Sequence, residues 1–331
     1  MSRRLPDVAV FVAYAAVSFA YSGWRLVPHP GRLVAAASPD FQTFVWSFGW
    51  WPHAIGSWTN PFVTHALYAG NGINLTWAAT SPGLALVFSP LTAAFGPVVS
   101  YNVATLLLPA LAAWTAFLLC RHLTRSVWAS LVGGYLFGFA TSLLGQQLAG
   151  HPHVAAVFLL PLIALVVVRY VEGELTGSGV AWRLALLLAA QLWISTEFAF
   201  TATLMLVLAL ALAFWLLPEA RGPLRASLRS LAAAYAIGAV LAAPFLYYAL
   251  RGFHSGRIIN LQGSGGADLL NLLVPTQTTA IGGSSLTSVS SHFASATASV
   301  YLGLPTLLIV ALLALRARHS NTARFLLAAL G

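Results

Sequence analysis

The chain has 331 residues, of which 59% are hydrophobic and only 7% charged, and its mean hydropathy is +0.82. Soluble domains carry about 25% charged residues, so the composition excludes a soluble globular protein and indicates an integral membrane one. The net charge of +9 comes from 16 basic residues, all arginine, and in a membrane chain excess arginine belongs to cytoplasmic loops, so it does not indicate nucleic acid.

Repeated apolar runs of about 20 residues predict helices rather than barrel strands, with room for about eight spans. The expected fold is an all-α polytopic membrane protein with further amphipathic helices in its outer loops. The single Cys120 excludes an internal disulfide. Arginine without lysine, with abundant Ala, Leu and Gly, suits a GC-rich bacterial genome and hence a plasma (inner) membrane.

The first segment, residues 1–26, holds a span over Val8–Trp24 preceded by Arg3 and Arg4, which predicts a cytoplasmic N-terminus. Residues 27–97 form an outer loop. Its polar, aromatic-rich part runs from Val27 to Thr80 and contains an amphipathic helix opened by Pro39-Asp40, with Phe41, Phe44, Val45, Phe48 and Trp51 as apolar positions. Trp46, Trp50, Trp51 and Trp58 suit the headgroup level. Residues 81–96, bracketed by Pro82, Pro90 and Pro97, read as a re-entrant or interfacial segment too broken to cross.

A helical bundle follows over 98–250, with spans at 98–120, 127–144, 154–171, 183–198, 199–217 and 230–250. Residues 251–298 form a second outer loop, and its Gly/Ser/Thr-rich stretch 263–298 is the expected mobile part. A last span at 299–315 and an incomplete segment from Phe325 close the chain, so a further C-terminal part is expected. All arginines but Arg25, Arg32, Arg251 and Arg257 then face the cytoplasm. Counting 81–96 as a span would strand Arg221, Arg225 and Arg229 outside.

Topology gathers the unusual residues on the outer face. Asp40 has no other acid between Asp7 and Glu172, and a lone carboxylate in so apolar a chain is costly unless paired, solvated or used. Helix capping and catalysis are both open to it. Glu197 and Asp268 join it outside, with His29, His53, His65, His151, His153, His254 and His292. A face rich in histidine and poor in acids suits an anionic ligand such as a phosphate. Gly150-His151-Pro152-His153 reads as a wet turn, a substrate contact or, lacking a third ligand, a weak divalent-metal pair. Glu197, in Ser195-Thr196-Glu197-Phe198, is functional or a hydrated span end; Asp268 reads as structural. Gly134-x-x-x-Gly138 is a helix-packing spacing.

This layout resembles the GT-C glycosyltransferases, which include protein O-mannosyltransferases and bacterial aminoarabinose transferases. The resemblance lies in an outer loop with an acid near its start (Asp40-Phe41-Gln42-Thr43-Phe44-Val45-Trp46). It continues in a Pro-rich half-embedded segment (Ser81-Pro82-Gly83-Leu84, Phe95-Gly96) and a span ending in Leu119-Cys120-Arg121-His122-Leu123. The stretch Asp40–Val154, with Asn60-Pro61-Phe62 and Gly150-His151, is similar to actinobacterial membrane glycosyltransferases. One departure is that His151-Pro152-His153 stands where many members carry a second acid.

The resemblance implies a polyprenyl-phosphate sugar donor entering from the bilayer and an acceptor hydroxyl at the outer face. It implies Asp40 as general base or orienting group, and His151, His153 and Arg257 as stabilisers of the phosphate leaving group. Glu197 would bind sugar or acceptor, and His53 joins the substrate-binding set. No cofactor is assigned, a divalent metal stays open, and the expected partners are the donor and membrane lipids, not nucleic acid. The rival classes are a lipid or solute transporter, or flippase, and a non-catalytic membrane scaffold. Against the transporter, ionisable groups sit at the membrane faces and no inverted repeat is evident.

Overall fold

The computed structural model describes residues 4–67, 72–251, 269–275, 285–290, 301–317 and 319–329. The helices, in chain order, are α1 (Arg4–Tyr21), α2 (Phe41–Gly56), α3 (Pro82–Val87), α4 (Ser89–Phe95), α5 (Pro97–Thr124), α6 (Val127–Gly138) and α7 (Thr141–Leu148). They continue with α8 (Pro152–Ala155), α9 (Leu159–Val171), α10 (Gly177–Ile194), α11 (Thr196–Leu216), α12 (Arg221–Leu241), α13 (Ala243–Arg251), α14 (Thr287–Ser290), α15 (Leu304–Ala317) and α16 (Asn321–Ala328). Among the described residues the one sheet is an antiparallel pair, β1 (Val63–Thr64) with β2 (Ile73–Asn74).

Six helical stretches are long and apolar enough to cross a bilayer: Pro97–Thr124, Val127–Leu148, Pro152–Val171, Gly177–Ile194, Thr196–Leu216 and Pro218–Leu241. Two shorter apolar helices, Asp7–Tyr21 and Leu304–Arg316, fall where the first and last spans are expected. The chain is an all-α membrane protein. Two spans differ from expectation. The one expected at 183–198 runs from Gly177 to Ile194, because Ser195 leaves helical geometry and its hydroxyl accepts from the Phe198 amide, capping α11. The one expected at 230–250 ends at Leu241, and residues 243–251 form the separate helix α13. Pro244 carries no N–H to continue α12 and disfavours helix in the residue before it.

The stretch 81–96 is broken, as its prolines predict. Helices α3 and α4 meet at Phe88, and each, at about 1.5 Å per residue, is far too short to cross. The long helix α5 is the packing centre. Gly134 and Gly138 lie so close to it that a Cβ would sit 2.5 Å from the Ala113 carbonyl oxygen and 2.4 Å from the Ala113 nitrogen, respectively. That is what the small-x-x-x-small spacing allows.

On α2, Phe44, Phe48 and Trp51 are buried at the spacing of one helical face. They join Phe62, Leu75, Tyr101 and Phe245 in a core beneath one end of the bundle. At this end Asn60 donates to the Tyr248 hydroxyl (3.0 Å) and Asn74 to the Tyr248 carbonyl (2.9 Å), docking α13 on the loop. At the opposite end lie the α5–α6, α9–α10 and α11–α12 corners, with Arg121, Arg125, Arg169 and Arg221. There His122 meets Glu172 at 2.6 Å and Arg169 meets Glu174 at 2.7 Å.

A buried amide fixes the approach to Asp40. Asn102 of α5 accepts from the Ala35 nitrogen (2.9 Å) and donates to the carbonyls of Leu33 (2.7 Å) and Pro30 (3.1 Å). A buried polar group left without its partner costs about 1–3 kcal/mol. Asn102→Ala is therefore expected to destabilise the protein by about 2 kcal/mol, read as a lower apparent Tm in detergent. Asn102→Asp, which can only accept when ionised, should not restore it.

Candidate functional site

Asp40 stands at the N-cap position of α2, yet its side chain makes no cap hydrogen bond. Its Oδ2 lies instead 3.0 Å from His151 Nε2, across 111 residues of sequence. Two backbone features bring them together. The Ala37 nitrogen donates to the Leu148 carbonyl at 2.7 Å. Gly150 has φ +78°, and a Cβ there would sit 2.9 Å from the Phe41 nitrogen. Any side chain at 150 would thus be strained and would push the loop off the start of α2.

The second ring nitrogen of His151, Nδ1, faces Oε1 of the Gln146 side-chain amide at 2.8 Å. A carboxylate only accepts, so Nε2 carries the hydrogen that bonds Asp40. On a neutral ring Nδ1 then accepts, which requires Gln146 to turn its NH2 toward it; the two ends of an amide have the same shape. Gln146 and His151 are therefore positioning groups for Asp40. With both nitrogens engaged, His151 has no lone pair left over for a metal. The His151 hydrogen bond first, with Ser38 adding to it, holds the Asp40 carboxyl below its ordinary value. The carboxylate stays 57% exposed, so it retains capacity to accept further bonds.

His153 lies beside this pair. Its ring stacks on Phe44, one turn along α2 from Asp40, at 5.0 Å between centroids, and meets His151 edge-on at 5.8 Å. Its Nδ1 is buried without a partner. Burying a lone pair is cheaper than burying an orphan N–H, which favours the tautomer with hydrogen on Nε2. That nitrogen is the one open to solvent.

Asp40, His151 and His153 line a cavity of about 780 Å³ together with Thr43, Phe44 and Thr80. A neighbouring cavity of about 380 Å³ contains Glu197, Trp77 and Trp193. The two share Ala78, Ala79, Thr80 and His153 as a common wall. Four of the expected site residues are thereby joined: Asp40, His151, His153 and Glu197. His53 is not among them. It is exposed in the last turn of α2, roughly 20 Å along the helix from Asp40, and lines neither cavity. Arg257 and Asp268 lie outside the described residues.

Sequence reasoning missed Gln146, Trp77 and Trp193. Gln146-Gln147 is a polar pair inside an apolar run, and that is the signal that could have found it. Gln147 is buried and donates to the Thr105 carbonyl of α5 at 3.2 Å. Among the described residues, one histidine–acid group has metal-compatible spacing, His122–Glu172–Glu174, at the arginine-rich end. Glu174 is already held by Arg169 there.

A model of the DUF6311 domain, a domain of unknown function, matches residues 10–330. The chain belongs to the DUF6311 family. No curated protein and no solved structure matches it. The DUF6311 match takes in every element that builds the two cavities.

Gly150→Ala is expected to separate Asp40 from His151 at a cost of about 1–3 kcal/mol, with the helical bundle retained by circular dichroism. The check is the His151 side-chain 15N spectrum, which should lose its Asp40-bonded signature. A depressed carboxyl value means that the Asp40 contact is complete at neutral pH and is lost only as pH falls through that depressed value. In isotope-edited infrared titration, His151→Ala should move protonation of Asp40 to higher pH.

Proposed function

We propose that this DUF6311 protein is a membrane glycosyltransferase of the GT-C type. It moves a sugar from a polyprenyl-phosphate donor to an acceptor hydroxyl. The observation that carries the reading is Asp40: a loop carboxylate not used for capping, aimed by His151 into a cavity that abuts a second carboxylate-bearing cavity. The resemblance of the Asp40 loop and the Pro-rich segment after it to GT-C enzymes supports the same conclusion.

In this reading the Asp40 end faces outward, α1 and α15 complete a set of eight spans, and the arginine-rich corners and the N-terminus face the cytoplasm of the plasma membrane. Asp40 accepts the proton of the acceptor hydroxyl as that oxygen attacks the sugar carbon. The bond from that carbon to the phosphate oxygen breaks, and polyprenyl phosphate leaves. A neutral His153, donating through Nε2, hydrogen-bonds the departing phosphate. His151 acts through Asp40, which it orients. Arg257 remains a proposed phosphate contact.

General-base groups contribute about 10²–10⁴-fold. Asp40→Asn is expected to lower transfer from polyprenyl-phosphate sugars by about 10²-fold or more, at equal expression and with little change in donor KM. Undiminished transfer by Asp40→Asn would sink the proposal. Absence of transfer together with lipid flux in proteoliposomes would establish the flippase reading instead.

A further inference from the structure

The arginine-rich end of the molecule is stepped. Helices α11 and α12 form a hairpin through the turn at Pro218–Ala220, and the Tyr235 hydroxyl donates to that of Thr203 at 3.0 Å, which fixes their register. In antiparallel helices that pair sets Arg225 level with Ala213 and Arg229 level with Ala209. The Arg225 guanidinium, 5.3 Å from the centre of the Phe214 ring, obeys the same register. Arg229 therefore lies about 10 Å along the axis inside the end of α11. Yet α11 carries no charged residue after Glu197, and every residue from Ala209 to Leu216 is apolar.

On the other flank of α12 the polar boundary reaches further in. Gly177 starts α10 so close to Ser230 that a Cβ would sit 2.8 Å from its Oγ, and the Tyr170 hydroxyl of α9 lies 3.1 Å from the same oxygen. The charged α9–α10 corner, with Glu172 and Glu174, thus stands near the level of Arg229. One side of α12 meets apolar surface where the other meets charge.

Arg221, Arg225 and Arg229 recur every four residues as an exposed stripe on this helix, a spacing at which like charges repel. Arg221 is employed within the fold: its Nε donates to the Phe214 carbonyl at 2.8 Å and caps α11. Arg225 has its ring contact alone, and Arg229 makes no hydrogen bond or ion pair among the described residues. Glu219, in the turn before α12, pairs with neither. Arg183 of α10 shows the contrast, since its guanidinium is met by the Gly179 carbonyl at 2.9 Å. An arginine beside apolar helix at membrane depth is costly without a counter-charge.

We infer that Arg225 and Arg229 hold the phosphate of an anionic phospholipid, drawn up the step between the apolar flank of α11 and the α9–α10 corner. Two guanidinium forks one turn apart present paired N–H donors that match phosphate oxygens. Apolar surface is interleaved with them: Leu228 is 63% exposed between the two arginines, and Trp215 is 75% exposed at the end of α11. Cations mixed with open apolar side chains suit an amphiphile, with its acyl chains along α11. A soluble anion or an acidic protein surface would leave Leu228 and Trp215 uncovered. The site lies at the opposite end of the bundle from Asp40 and does not depend on the transferase reading.

The test is native mass spectrometry of the full chain in detergent, titrated with dioleoyl phosphatidylglycerol and, in parallel, with dioleoyl phosphatidylcholine. Wild type is expected to retain phosphatidylglycerol at concentrations where phosphatidylcholine is lost. Arg225→Gln/Arg229→Gln should weaken that retention about 20-fold or more. Arg229 has no partner within the described fold, so Arg229→Gln alone should leave folding intact and still weaken retention about 5-fold. Arg125→Gln, at an exposed arginine of the α5–α6 corner, should leave it unchanged. Equal retention of the two lipids, unchanged retention in the Arg229 variants, or an equal loss in Arg125→Gln would overturn the assignment, the last by reducing it to diffuse attraction. A dimer that dissociates in the Arg229 variants, without any lipid preference, would give the stripe to a second copy of the chain instead.

Discussion

Hydrocarbon offers a polypeptide no hydrogen bonds, and that constraint orders this whole chain. Wherever the backbone crosses, it is helical; α1, α6 and α9 lean on α5, and α10 and α12 pack on each other. Close approach without side chains, at Gly134 and Gly138 against Ala113, replaces the hydrophobic driving force that lipid cannot supply. Where the backbone stops being helical it needs polar partners from elsewhere. Those partners are visible: Asn102 serves the loop at 30–35, Gln147 reaches a carbonyl of α5, and Ser81 reaches a carbonyl at the end of α10. The irregular segments therefore collect at one end of the bundle, where their polar groups can meet one another and water.

The same economy of polar groups makes the Asp40 site specific. An acid at an N-cap has an obvious structural use, and Ser126, Thr176 and Ser195 show that use at three other helices. Asp40 is turned away from it and onto a histidine that is itself held by a glutamine. Such a chain leaves little rotational freedom to the carboxylate while leaving it exposed to a cavity. Preorganisation of that kind is what an acid–base group requires, since a group free to rotate spends much of its time misaligned.

In the proposed transferase, two cavities with one wall would hold its two substrates side by side. His153 belongs to both, buried on its Nδ1 side and open on the other. A group in that position touches whatever passes between the cavities. The arginine-rich end is arranged on different lines, with exposed acids paired to His122 and Arg169, and such pairs contribute little beyond fixing corners.

Much of this was legible in the residues themselves. Long apolar runs yield spanning helices whatever they pack against, because length and hydropathy alone decide membrane crossing. Pro82, Pro90 and Pro97 announced the broken segment, since a missing N–H acts locally. The apolar positions on α2 announced its buried face. Asp40 stood out because no neighbour in sequence could pay its solvation cost. What depended on tertiary structure was everything set by pairing across long separations. The Asp40–His151 contact spans 111 residues and needs a positive φ at Gly150, the tautomer relay needs Gln146, and the second cavity needs Trp77 and Trp193. His53 shows the limit: it shares a helix with Asp40 but not a site, because a helix separates in space what lies 13 residues apart along it. Composition and periodicity determined that this chain enters a membrane and where it must break; only packing decided which of its few polar side chains meet.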